Sequence, residues 1–263
     1  FSWGNSLGGL AQLQAQMDPG PSLSFTWRDG QTIVNDRPDL GRKVNVRSLP
    51  PHVPMAFLAT EDRDFYQHNG VNMTSILRAV VVNLRAGRTA QGGSTITQQL
   101  VKYAILRDLR RDYMRYLRTL FIARNIERDL SARFPDRRQM KDELLGFYLA
   151  SLDFGTGSRP GIAIHGLDLA SQTYFGVSPQ QLRPAQAAVL AAMINGPSLY
   201  NPCRNWNRAK ERATLVLRNM MLVPNGLTQT EFNAALRDLD TPAPCPPARQ
   251  SALFTVNHIR TAR

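Results

Sequence analysis

QGGSTITQQLVK, residues 91–102, sets two glycines ahead of a polar segment rich in hydroxyl and amide side chains. Thr95 and Gln98 have the spacing of a capping box, which predicts a helix start carrying Leu100 and Ile105 on its apolar side. Such a start exposes backbone N–H groups to an anion, although a capped helix after a flexible loop accounts for the same residues. Upstream, ATEDRDFYQHNG (59–70) places Glu61 and Asp62 at the end of an apolar helix, with Phe65, His68 and Gly70 just beyond. Acids at a helix C-terminus oppose the macrodipole, so their placement costs a little stability and invites a functional reason. Downstream come Lys102, Arg107, Arg110, Arg111, Arg115 and Arg118. Arg111, Arg115 and Arg118 fall at i, i+4 and i+7, one stripe of a helix expected over Asp108–Leu130. Only Asp108 and Asp112 are spaced to neutralise them, so a diphosphate site competes with a solvated face.

Around this centre the chain reads as mainly α. Ile76, Leu77, Val80, Val81 and Leu84 share one helical face behind Thr74 as N-cap; flanked by Arg78, Arg85 and Arg88 the segment suits a membrane interface, with a buried core position expected for its strongest face. Further helices are predicted at about 139–151, 165–175, 184–195, 206–222 and 228–238. Gly176 is the stop of the second of these, and Thr228 with Glu231 is a capping box opening the last. The exception is Ser24–Val34, where SFTW, Arg28-Asp29-Gly30 and QTIV predict a small N-terminal β-hairpin with a tight Asp-Gly turn. Residues 1–23 form a loosely patterned lead-in, 24–240 the domain, and 241–263 a Pro-rich linker and the start of a following region.

The 263 residues are 43% hydrophobic with a formal net charge of +12, which fits one large domain with an anionic partner. No stretch reaches the roughly 18 apolar residues of a membrane span. Nucleic acid is a poor match because aromatic side chains do not interleave with the basic ones. The four histidines lack metal-ligand spacing, and no metal-binding residue is assigned. His68 is expected to be structural, bonding backbone near Glu61. A β-lactam-type transpeptidase site is excluded within these residues, since no Ser-x-x-Lys occurs.

Taken together the three segments resemble glycosyltransferase family 51, the peptidoglycan glycosyltransferase domain of class A penicillin-binding proteins and monofunctional transglycosylases. The family's Glu-Asp-x-x-Phe-x-x-His-x-Gly is met by Glu61, Asp62, Phe65, His68 and Gly70, and its Gly-Gly-Ser-Thr-Ile-Thr-Gln-Gln by Gly92 to Gln99, including Gly93. YFGVSPQQLRPAQAAVLAAMINGPSLYNP (174–202) is similar to a later family segment. The resemblance implies a lysozyme-like helical fold with a membrane-touching jaw, polymerising lipid II into β-1,4 glycan with release of undecaprenyl diphosphate. It implies Glu61 as the base for the acceptor 4-hydroxyl. Asp62, Ser94, Thr97 and Gln98 would lie in the donor cleft, and Lys102, Arg110 or equally Arg111, and Arg115 at the diphosphate. A divalent metal, Mg or Mn, is the cofactor expected at that diphosphate. Lipid II, the lipid-linked glycan chain, the membrane surface and a transpeptidase domain or partner are the expected associates. The implied place of work is the outer, periplasmic face of the cytoplasmic membrane, with an anchor these residues do not contain.

Four positions depart from the family. Thr119 stands where its Arg-Lys-x-x-Glu has glutamate, and Gly146 where its Glu-x-Tyr-Leu-Asn does; Tyr116 and Ala150 also depart. Glu127 is no ready substitute at 119, being eight residues on, about 12 Å along and about 80° around a helix. These losses put reduced activity, or a degenerate relative that binds lipid-linked glycan or a partner as a scaffold, beside the active enzyme. A glycan-cleaving lysozyme-like enzyme suits the cationic run poorly. In an exported domain Cys203 and Cys245 are expected to pair, since they flank two helices that return the chain to its starting point. Two unrelated thiols are the alternative.

Overall fold

The computed structural model describes residues 23–26, 32–35, 41–86, 93–102, 113–156 and 163–245. The chain is mainly helical across them, as expected. Two strands, β1 (Leu23–Thr26) and β2 (Thr32–Asn35), pair antiparallel with Leu23 opposite Asn35 and Thr26 opposite Thr32. The Asp29-Gly30 turn expected between them lies outside the described residues.

The described chain divides into two compact units. The first holds Asn45–Arg47 and Phe57–Tyr148. It takes in the end of α1 (His52–Glu61), then α2 (Met73–Ala86), the short α3 (Ile96–Leu100), α4 (Tyr113–Ser131) and most of α5 (Arg137–Ser151). Phe57, Phe65, Ile96, Ile126, Met140 and Tyr148 are fully enclosed in its core. Two expectations for α2 need correction. Thr74 is not its N-cap: Asn72 Oδ1 accepts the Ser75 N–H at 3.0 Å and the Thr74 hydroxyl at 2.6 Å, the short amide being a strong capping group. Nor is the Leu77 face buried. Met73, Leu77, Val81 and Leu84 are 63%, 65%, 43% and 76% exposed, because small Ala79 and the Gly93 backbone take the inward side.

The second unit holds Ser48–Ala56 and the described residues from Leu149 on. Its helices are α6 (Leu167–Phe175), α7 (Pro184–Met193), α8 (Trp206–Met221) and α9 (Gln229–Asp238). Apolar nearly all round, α7 is buried along almost its whole length and packs on α8. Gly176 ends α6 in the left-handed conformation with φ 70°, and Thr228 with Glu231 caps α9 as the sequence predicts. An antiparallel contact between Asp153 and His165, not read from the sequence, precedes α6. Cys203 and Cys245 are disulfide-bonded, with Cα atoms 5.7 Å apart.

Candidate active site

The site lies in the first unit and is built on α3. Thr95 accepts the Gln98 N–H at 3.2 Å while Gln98 Oε1 accepts the Thr95 N–H at 2.7 Å, the reciprocal bonds of the expected capping box. The Thr95 hydroxyl also donates to the Gly70 carbonyl at 2.6 Å, tying the second motif to the first. Gly70 has φ +79° and packs so closely on α4 that an added Cβ would lie 2.5 Å from the Ala123 carbonyl oxygen. Only glycine meets both demands. Gly93 passes α2 nearly as closely, a Cβ there falling 3.0 Å from Ile76 Cα.

Asp62 and His68 complete this junction. The buried Asp62 carboxylate accepts the Ile96 N–H at 3.0 Å and lies 2.8 Å from His68 Nε2. His68 therefore bonds a carboxylate rather than the backbone expected for it. The reason is geometric: Asp62 turns inward past the end of α1, leaving its neighbour Glu61 on the partly exposed side. Glu61 Oε2 accepts from Gln99 Nε2 at 2.8 Å, and Gln99 Oε1 accepts from Tyr148 at 3.3 Å.

A second network, unforeseen in the sequence, holds the loop of the first motif against α5. Arg137 donates to the carbonyls of Tyr66 at 3.1 Å, and of Gln67 and His68 at 2.9 Å each, and to Asn69 Oδ1 at 2.6 Å. Lys141 Nζ donates to the His68 carbonyl at 2.8 Å and stands over the Phe65 ring at 4.4 Å. The same ammonium pairs with Glu127 at 2.7 and 2.9 Å, both side chains being buried, and Thr97 donates its hydroxyl to that carboxylate. Burial lowers the Lys141 pKa from its ordinary value, against the opposing pull of Glu127. Beside them Tyr66 donates to Asp142 Oδ1 at 2.7 Å; burial, with that bond, raises its phenol pKa.

The expected site residues are thus distributed unevenly. Glu61 and the exposed Ser94 and Lys102 are at the surface of the unit, while Asp62, Thr97 and Gln98 are buried and engaged with protein partners. Phe65 is core. Gly92, Arg110 and Arg111 lie outside the described residues, as does the side chain of Arg115. Thr119 is buried, and so is Gly146. Gln99 is not among the expected site residues, although a capping box commits Gln98 to the helix start and leaves the next amide available. Among the described residues no three His, Cys, Asp or Glu side chains come together as a metal site. Neither Thr119 nor Gly146 offers a carboxylate to a divalent ion.

A family model described as Transglycosylase matches residues 30–221. The chain is 46% identical over 209 residues to penicillin-binding protein 1B of Vibrio cholerae serotype O1, covering 79% of this chain and 25% of that protein. It is 44% identical over 161 residues to penicillin-binding protein 1B of Escherichia coli K12, covering 61% of this chain and 18% of the relative. The crystal structure of penicillin-binding protein 1A from Haemophilus influenzae is similar with a TM-score of 0.38 at 19% identity, covering 84% of this chain and 21% of that one. The chain thus spans about a quarter or less of the length of these proteins.

Proposed function

As a member of the transglycosylase family, matched over residues 30–221, the chain is one that we propose polymerises lipid II into β-1,4 glycan with release of undecaprenyl diphosphate. The observation that carries this reading is Glu61, partly exposed at the end of α1 and hydrogen-bonded by Gln99 of the Gly-Gly-Ser-Thr segment. A carboxylate there suits a general base. It takes the proton from the acceptor sugar's 4-hydroxyl as that oxygen attacks the anomeric carbon of the lipid-linked donor chain from the side opposite the leaving group. The C1–O bond to the diphosphate breaks with inversion, and undecaprenyl diphosphate departs with its electron pair.

A diphosphate is a good leaving group and needs cationic stabilisation more than a proton. Lys102, Arg110 or Arg111, and Arg115 are the cations assigned to it, and no step is routed through a metal. Asp62, Thr97 and Gln98 serve the reaction through the protein: Asp62 ties the first motif to the second, Thr97 bonds Glu127 on α4, and Gln98 closes the start of α3. The exposed apolar side of α2, with Leu117 and Phe121 on α4 at 39% and 52% exposure, suits the surface of a membrane in which the lipid substrate is dissolved. The proposed place of work is the outer, periplasmic face of the cytoplasmic membrane, beside a transpeptidase that joins the new strands.

Thr119 and Gly146 favour a second reading, a degenerate relative that binds lipid-linked glycan without extending it. Labelled lipid II in detergent, followed by gel separation, distinguishes the two. A ladder of glycan polymer is expected; lipid II that binds yet stays monomeric would support the scaffold instead.

A further inference from the structure

We propose that Gln99 and Tyr148 are positioning residues for Glu61, a hydrogen-bonded relay that fixes the orientation of its carboxylate; this rests on reading Glu61 as the base. Gln99 Nε2 donates to Glu61 Oε2 at 2.8 Å, and the Tyr148 hydroxyl donates to Gln99 Oε1 at 3.3 Å. An amide has one donor end and one acceptor end, so the two bonds select each other. The tyrosine hydrogen on Oε1 turns the N–H of Gln99 towards Glu61. A reversed amide would set its carbonyl oxygen against the carboxylate.

The relay starts from a rigid point. Tyr148 is fully buried in the core of the first unit, so its hydroxyl is fixed by packing. Gln99 lies on α3, whose start is held by the Thr95–Gln98 box and by Asp62. Glu61, in contrast, is the last residue of α1 and partly exposed, with three side-chain torsions to be set. A base works within about 2.6–3.2 Å of the hydroxyl it deprotonates. Releasing its carboxylate therefore costs turnover rather than substrate affinity.

Tyr148→Phe removes one oxygen and keeps the buried ring. We expect its kcat for lipid II polymerisation to fall about tenfold, the scale of one hydrogen bond to an amide that serves a charged group, with KM within about twofold. In a Gln99→Ala background the same substitution has no further effect on kcat. Undiminished kcat in Tyr148→Phe, or losses that multiply in the double variant, would overturn the relay. If instead Glu61→Gln polymerises as fast as the wild type, the assignment of the base fails, and the relay with it. A readout free of turnover separates these cases. The Gln99 side-chain amide resonances, identified by their loss in Gln99→Ala, should shift in both Glu61→Ala and Tyr148→Phe protein labelled with 15N. Resonances that neither substitution moves would overturn the relay whether or not the protein makes polymer.

Discussion

Lys141 shows how much a single side chain can hold in place. Its ammonium meets the Glu127 carboxylate and the His68 carbonyl in the core of the first unit, with no exposure to water. A buried pair is weak support for stability in itself, but removing one partner strands the other charge. Lys141→Met is therefore expected to lower the unfolding free energy by about 3–5 kcal/mol. Pairing it with Glu127→Gln should restore part of the loss, since no buried charge is then left alone. Urea unfolding of the two variants checks this, and a single variant as stable as the wild type would contradict it. None of this was legible beforehand, because a lysine in a helix is ordinarily read as solvated. The signal was its spacing: Lys141 precedes Leu145 and Tyr148 by four and seven residues, on the face that both bury. Gln99 was hidden differently. The motif contains two adjacent glutamines, and the capping box engages Gln98 at the helix start, leaving Gln99 to reach Glu61.

At the scale of elements, helix starts and stops were the most legible features, because each is set by local chemistry. The boxes at Thr95 and Thr228 and the left-handed Gly176 are all present as expected. The fate of α2 was legible only as two alternatives, an interfacial surface or a core face. Periodicity finds an apolar face but does not say whether protein or lipid covers it, and here Leu77, Val81 and Leu84 are exposed. With Arg78 on the same helix, that surface is expected to float with anionic liposomes at low salt. Leu77→Glu with Leu84→Glu should leave the protein at the bottom of the gradient while its thermal midpoint changes by no more than roughly 2 °C, as befits exposed positions. Flotation that survives both substitutions would send the membrane contact elsewhere.

For the whole molecule, the division of labour follows the two units. The first carries the paired motifs and their networks, and the second is organised around the apolar α7 and closed by the disulfide. The Cys203–Cys245 bond spans 42 residues of sequence, and the Cys245 N–H donates to the Tyr174 carbonyl at 3.2 Å, fastening the segment after α9 to α6. Closing a loop of that length is worth about 4 kcal/mol by the chain-entropy estimate, so replacing both cysteines with serine should destabilise the second unit by about that much. An unchanged denaturation midpoint would show that the bond adds nothing. This pairing was legible because two antiparallel helices return the chain to its starting point. The contact between Asp153 and His165 was not, since neither residue belongs to an alternating apolar run.

The two motifs of the first unit meet at one carboxylate, Glu61, which ends α1 and accepts a hydrogen bond from Gln99. The initial rate of labelled lipid II polymerisation by Glu61→Gln, set against the wild type under identical detergent and salt, tests its role most directly. The substitution keeps shape and removes the basic oxygen, so the rate should fall by about 10²–10⁴ with lipid II binding retained. Equal rates of polymer formation by the two proteins would contradict the assignment of Glu61 as the base.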